Sequence, residues 1–424
     1  MNLPNTLLHR SGWPDFAQFR LHPAAASLRA NLRDAQTRTT LLTRNFNDAN
    51  AVVPMLSIVN PPIWELGHIA WFQEFWVQRG GNPDAPSLLR HADRWYDSSR
   101  VAHDTRWTLD LPDIAATRAY MEDVVTRSEA LLDQDAPGDA VFYFAQLALF
   151  HQDMHNEAFT YTLHTLGLPM PGLLDTPVPG LGGDIAIPES TFRMGSPRGE
   201  GFVFDNEKWA HEVRVPAFQI SRRVTTNGEF AAFVEAGGYA RREFWSQAGW
   251  AARERAALDC PRYWKRENGN WLLRRFDQWI SLPEDEAVIH ISAHEAGAYC
   301  QWAGRRLPME AEWECAAKHH SGAFSYGQAW EWTSSRFLPY TGFAADPYKD
   351  YSEPWFAEEH RVLRGGSFMT PRRMMRPAFR NFFKPDRADM FCGFRTCARQ
   401  AAPEAPVSMG MEIFGVPSAP IVAK

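Results

Sequence analysis

His151-Gln-Asp-Met-His155 lies in a stretch, Ala140–Leu166, whose apolar residues recur at three- and four-residue spacings with few internal Gly or Pro. A separation of four puts both imidazoles on one helix face, one turn apart, which is how a helix offers two nitrogens to one metal. Such pairs are common on surfaces and in cores, so the pair alone says little. His68 adds weight. It sits inside Pro62-Ile-Trp-Glu-Leu-Gly-His68-Ile-Ala-Trp-Phe-Gln-Glu-Phe75, an apolar helical run in which an unpaired polar ring is costly to bury. Packing the two helices together points three imidazoles into one interior cavity. Three neutral nitrogen donors leave coordination positions open, which suits a redox-active metal such as Fe(II) and equally suits Zn(II). His290-Ile-Ser-Ala-His294 has the same spacing but no third histidine in an apolar segment nearby, and it reads as structural.

The elements that must position these side chains fall in two halves, as expected for 424 residues, too many for one ordinary core. In the first half, Ala24–Arg44, Pro62–Gln78, Asp113–Asp133 and Ala140–Leu166 read as four helices of an antiparallel bundle. Asn60 is placed to cap the second helix, with Pro61 and Pro62 in its first turn. Gly and Pro then crowd the chain from Gly167 to Gly183. Beyond lie short strands, turns and loops with helical pieces such as Thr226–Glu235 and Ala293–Ala303. The reading is an α+β chain of two domains. Residues 1–170 form the metal-binding bundle, 171–184 a linker, 185–400 an irregular α+β domain, and 401–424 an Ala/Pro-rich tail with little to order it.

Composition narrows the function classes. Seventeen Trp, 28 Phe and 11 Tyr demand a large packed interior or an aromatic-lined pocket. A net charge of -6 argues against general affinity for nucleic acid. Five cysteines without a CxxC pair make no disulfide framework. No signal peptide is visible in Met1–Arg20 and no run of 18 apolar residues occurs, so a reduced, cytoplasmic enzyme without membrane contact is expected.

The second half resembles the formylglycine-generating-enzyme-like domain, a C-type-lectin-like fold. Phe192-Arg-Met-Gly195, Val224-Thr-Thr-Asn227, Ala293-His-Glu-Ala-Gly-Ala-Tyr-Cys-Gln-Trp302, Gly304-Arg-Arg-Leu-Pro308, Glu310-Ala-Glu-Trp-Glu314, Trp330-Glu-Trp-Thr-Ser-Ser335, Arg364-Gly-Gly-Ser367 and Gly393-Phe-Arg395 carry the likeness in order. The first half, with Trp64-Glu-Leu-Gly-His68 followed by His-x-x-x-His, looks like a DinB-type four-helix bundle. Together they are similar to the ergothioneine-synthase family of iron enzymes, which use dioxygen to join a sulfur donor to C2 of the imidazole of hercynine. The resemblance implies Fe(II) on His68, His151 and His155, and a substrate site between the domains. It places Asn381 and Phe382 near hercynine, with core packing as the alternative for Phe382 and Phe383. Arg100 and Arg106 fall where the family has donor-binding arginines, and each is equally readable as a plain surface residue. A phenol near the iron is also implied. Tyr340, Tyr348 and Tyr351 share the loop after Trp332, and the alignment does not choose among them; Tyr340 is carried forward as the candidate proton donor.

Departures from the family pattern sharpen the expectation. The cysteine positions of formylglycine-generating enzymes hold Thr370 and Met375, so the domain serves as a scaffold. Met154 stands where the family often has Gln. Phe383 replaces an Asp that, with the Arg four residues on (here Arg387), holds the charged groups of γ-glutamylcysteine in sulfur-using members. A phenyl ring cannot pair with an α-ammonium, so a donor without one is favoured. These changes, with Val59-Asn-Pro-Pro-Ile-Trp-Glu-Leu-Gly-His68 and Trp95-Tyr-Asp-Ser-Ser99, resemble the selenoneine-synthase branch, whose donor is the selenosugar 1-seleno-N-acetylglucosamine. Carbon–selenium bond formation is therefore favoured over carbon–sulfur bond formation with cysteine or γ-glutamylcysteine. Two other classes stay open: a non-catalytic lectin-like binding protein, and a zinc hydrolase or thiol transferase using the same histidines.

Overall fold

Periodic apolar residues close the first domain around helices that match the expected four. The computed structural model describes residues 25–399 apart from 136, 173–177 and 200, so the readings of the N-terminal 20 residues and of the tail lie outside the described residues. Helices α1 (Ala25–Thr43), α2 (Pro62–Gln73), α4 (Ile114–Leu132) and α5 (Asp139–Leu166) form the bundle, with the short α3 (Ala92–Tyr96) beside α2. Helix α2 runs on into one π-helical turn, Glu74–Gln78, where the buried Glu74 carboxylate accepts from Ser87 Oγ, the Leu88 N–H and Tyr120 Oη. Asp113 caps α4 by accepting from the Ala116 N–H at 2.7 Å. Asn60 does not cap α2. Its carbonyl oxygen accepts from Arg106 Nη1 at 2.7 Å, and Pro61 occupies the cap position with no side-chain bond.

The second domain is α+β, as expected, and is built on four small sheets. In chain order the strands are β1 (Asp184–Ile187), β2 (Ser190–Met194), β3 (His211–Val215), β4 (Phe218–Ser221), β5 (Trp264–Glu267), β6 (Asn270–Arg275), β7 (Gln278–Ser281), β8 (Arg305–Arg306), β9 (Trp330–Arg336), β10 (Arg361–Arg364), β11 (Asn381–Phe383), β12 (Cys392–Gly393) and β13 (Cys397–Ala398). One sheet runs β1-β4-β13-β8 and another β11-β10-β9-β12; β2-β3 and β5-β6-β7 are antiparallel ribbons. Helices α6 (Asn227–Glu235), α7 (Gln247–Arg255), α8 (Ala293–Trp302) and α9 (Glu310–His319) pack around them. Thr226 and Ser292 cap α6 and α8 in capping boxes with Glu229 and Glu295. The motif residues are the struts of this domain. Arg364 is buried against Glu310 and Glu314, and Arg395 against Glu331, which also accepts from Trp313 Nε1. Among the described residues no helix is long and apolar enough to cross a membrane.

The domains are bonded through the back of α5. Asp153 and Glu157 lie on the helix face opposite His151 and His155, as a period of 3.6 dictates. Arg373 reaches Asp153 with two parallel bonds of 2.6 and 2.7 Å. Glu157 accepts from Trp330 Nε1 (2.8 Å), Ser367 Oγ and Thr370 Oγ1 (2.7 Å). Thr370 thus puts a hydroxyl into the seam between the domains. Asp153 is fully buried, so removing its partner strands a charge. Arg373→Met is expected to cost about 3 kcal/mol, read as a lower urea midpoint, whereas the exposed pair Arg127–Asp123 contributes under about 1 kcal/mol.

Candidate metal centre

Helix α2 delivers His68 and helix α5 delivers His151 and His155 to one point. One ring nitrogen from each lies within 4.8 Å of the other two, and this is the one such cluster of three His, Cys, Asp or Glu among the described residues. The Nε2 atoms of His68 and His151 are 3.2 Å apart. The bundle fixes the rings from behind. His68 Nδ1 is 2.8 Å from the Tyr96 carbonyl, and His155 Nδ1 is 2.6 Å from Glu65 Oε1. Both partners accept, so both Nδ1 atoms carry a proton and Nε2 is left as the ligand atom of each ring. Gly67 makes the first contact possible, since a Cβ there would stand 2.2 Å from the Tyr96 ring. Trp64 stacks on His68 and donates from Nε1 to the Trp95 carbonyl at 2.7 Å, which explains the Trp95-Tyr96 motif. Phe72 lies parallel to the His151 ring at 3.6 Å.

Burial drives the His68 and His151 pKa values well below the usual imidazole range, and the neighbouring His155 ring adds to it. Both rings are therefore neutral and hold lone pairs. A point faced by buried lone pairs, with a carboxylate and a carbonyl behind the rings, is the donor set of a metal ion. The residues present fit one; three nitrogens on one side leave the opposite side for exogenous ligands.

Beside the cluster α5 carries a partly exposed stripe, Met154, His155, Ala158, Tyr161 and Thr165, and Tyr161 lies within electrostatic reach of Arg387. Arg106 stands nearby, its guanidinium 3.9 Å over the Trp64 ring. Arg100 is exposed and pairs with Asp97. On the second domain, Asn381 and Phe383 are half-buried on β11, and the Arg387 guanidinium lies 5.1 Å over the Phe383 ring. Arg387 is held bidentately by the buried Asp389 at 2.5 and 2.6 Å. Phe382, on the other face of β11, stacks on Phe337 at 3.9 Å in a cluster with Trp355 and His360, so packing accounts for it.

Tyr340 is not at the cluster. Its hydroxyl accepts from Arg364 Nη2 (3.1 Å) and Arg380 covers its ring at 4.2 Å, so it belongs to the buried struts of the second domain. Tyr351 stacks on Phe204. Tyr348 is the phenol that reaches the histidines, its ring 6.3 Å from His151 and 4.9 Å from Phe72. Burial pushes its pKa up, so it stays protonated. His290 and His294 diverge because His290 precedes α8 with a positive φ; it stacks on His164 instead. Glu65, Tyr161 and the Asp389 partner of Arg387 were not anticipated. Glu65 had a signal, lying three residues before His68 on one helix face.

Fold and site together define a two-domain α+β protein with a cluster of three histidines fit to hold a metal ion. Residues 31–158 match the DinB superfamily, and residues 175–328 and 325–401 match the sulfatase-modifying factor enzyme 1-like domain. The chain is 34% identical to the hercynine oxygenase of Mycolicibacterium smegmatis, over 88% of this chain and 98% of that protein. It is 33% identical to the hercynine oxygenase of Mycobacterium tuberculosis, over 87% and 97%. The formylglycine-generating enzyme of Streptomyces coelicolor is 31% identical over 52% of this chain and 90% of its own length. The chain belongs to the hercynine oxygenase family and is an oxidative enzyme.

Replacing His68 by Ala is expected to abolish tight Fe(II) or Zn(II) binding in an anaerobic competition with a chromophoric chelator. Glu65→Gln should weaken it by about 10–100-fold, since a ring-orienting carboxylate tunes its ligand by that much. Equal affinity in both variants and the parent would exclude the cluster as the site.

Proposed function

We propose that this chain joins hercynine to a chalcogen donor with dioxygen, using Fe(II) held by His68, His151 and His155, and that the donor is a selenosugar, 1-seleno-N-acetylglucosamine. The balance is one hercynine, one selenol and one dioxygen giving one selenoxide and one water. The C2–H and Se–H bonds break, C–Se and Se=O bonds form, and dioxygen takes four electrons. Bound iron would bring donor, imidazole and dioxygen together and let oxygen be reduced. The chain supplies the rest. Glu65 and the Tyr96 carbonyl fix the His155 and His68 rings, and the partly exposed stripe of α5, with Tyr161 in electrostatic reach of Arg387, would align the two substrates, a contribution of proximity. Phe72, Trp76 and Tyr348 keep water from the buried side, and Tyr348 holds a proton at Oη for oxygen on its way to water.

The observation that carries the choice of donor is the closed ion pair beside Phe383. Asp389 already neutralises Arg387, and a phenyl ring covers the guanidinium. An amino-acid donor would find no free carboxylate for its ammonium, and only an arginine already bonded for its carboxylate. A sugar asks for neither charge. The hercynine trimethylammonium needs aromatic faces and desolvation, and the chain, with 17 Trp and 28 Phe, has aromatic rings in surplus.

Anaerobically purified, Fe(II)-loaded protein should be given hercynine and air with the selenosugar or γ-glutamylcysteine in separate reactions, products being read by mass spectrometry. A selenium product from the sugar alone is expected. A sulfur product from the peptide would keep the oxidative reaction and overturn the donor. In Phe383→Asp, turnover with the sugar should fall by about tenfold or more, because a second carboxylate beside Asp389 recruits the guanidinium and charges the pocket.

A further inference from the structure

Tyr348 sits in a stretch with little regular structure, residues 337–360, yet its ring is set against His151 and Phe72. What holds it there is a short segment of the second domain, the 3-10 turn Asp205–Glu207 and the Lys208 that follows. This segment grips the loop on both sides of Tyr348. Two residues before it, Asp346 takes the Lys208 Nζ at 2.7 and 2.6 Å and accepts from Tyr143 Oη of α5 at 2.7 Å. Four residues after it, the buried Ser352 hydroxyl donates to Asp205 Oδ1 and accepts from Asn206 Nδ2 at 3.0 Å. The Asp346 N–H also donates to Asp205 Oδ2, at 3.4 Å. The turn itself is immobilised, with Arg380 bonded to the Asn206 carbonyl and Arg376 to Glu207.

We propose that Asp346, clasped by Lys208 and by Tyr143 of α5, is a positioning residue that ties the loop to the helix carrying His151 and so sets the Tyr348 phenol against the histidine cluster. This rests on the reading of Tyr348 as the proton donor of the proposed reaction. Lys208 and Asp346 are nearly buried, at 8% and 12% side-chain exposure, so the pair is little screened. Tyr143 lies on α5 two turns before His151, and its bond crosses from bundle to loop. A bond from the ligand helix itself makes the phenol follow any shift of that helix. A loop held only by its own domain would not.

The test uses the full-length, Fe(II)-loaded chain with two graded variants, Asp346→Asn and Tyr143→Phe; the second removes one hydroxyl and leaves the ion pair. Both should bind one Fe(II) as the parent does. Product formation from hercynine should show kcat lowered by about tenfold in Asp346→Asn and less in Tyr143→Phe, a misplacement effect, with KM for hercynine changed by less than about twofold. In a Tyr348→Phe background neither substitution should lower kcat further, because the residue through which they act is gone. Independently, amides 346–352 should exchange hydrogen about tenfold faster in Asp346→Asn while those of 151–155 are unchanged. Equal losses with and without Tyr348, or unaltered exchange in the loop, would overturn the proposal. Should the parent form no product from hercynine, the functional reading fails, and the exchange measurement still decides whether Asp346 ties the loop.

Discussion

One helix has to satisfy two incompatible surroundings, and the rest of the architecture follows from that. Helix α5 turns imidazoles toward the bundle cavity and carboxylates, Asp153 and Glu157, toward the opposite side. A bundle alone would leave those carboxylates to water or bury them unpaired at a cost of several kcal/mol. The second domain resolves the conflict with Arg373, Ser367, Thr370 and the Trp330 indole. The pairing is therefore also a registration device. Sliding one domain over the other by one helical turn would break every bond at once.

The second domain supplies rigidity and a wall. Its buried arginines, Arg364, Arg380 and Arg395, are each tied to glutamates and backbone carbonyls, which lets long loops keep fixed shapes without long strands. The β9–β10 connection and β11 stand on that frame. Its surface can change without disturbing the His68 and His155 rings, which are oriented from within the bundle by the Tyr96 carbonyl and Glu65.

Much of this was legible in the sequence, for a physical reason. Three- and four-residue apolar spacing reports burial of one helix face directly, so α1, α4 and α5, and α2 together with its π-helical turn, are readable to within one residue of their ends, and the three histidines with them. Most of the failures share another cause: they concern groups whose partners are distant in sequence. Asn60 has the right identity for a cap, but the Arg106 guanidinium 46 residues on takes its oxygen. Three tyrosines in one aperiodic loop look alike until Arg364 and Arg380 claim Tyr340, Phe204 claims Tyr351, and Tyr348 is left against His151. Arg387 could be singled out from its place relative to Phe383. That its charge is already balanced by Asp389, two residues along, follows only from rotamers that a linear chain does not disclose.

The three imidazoles are unequally accessible. His68 and His151 are almost sealed, whereas the His155 side chain is 18% exposed at the edge of the half-open stripe on α5. An ion held by the three rings would therefore meet solvent on the His155 side. Loading would begin on this ring and finish on the two sealed ones, and escape would run the same steps backward.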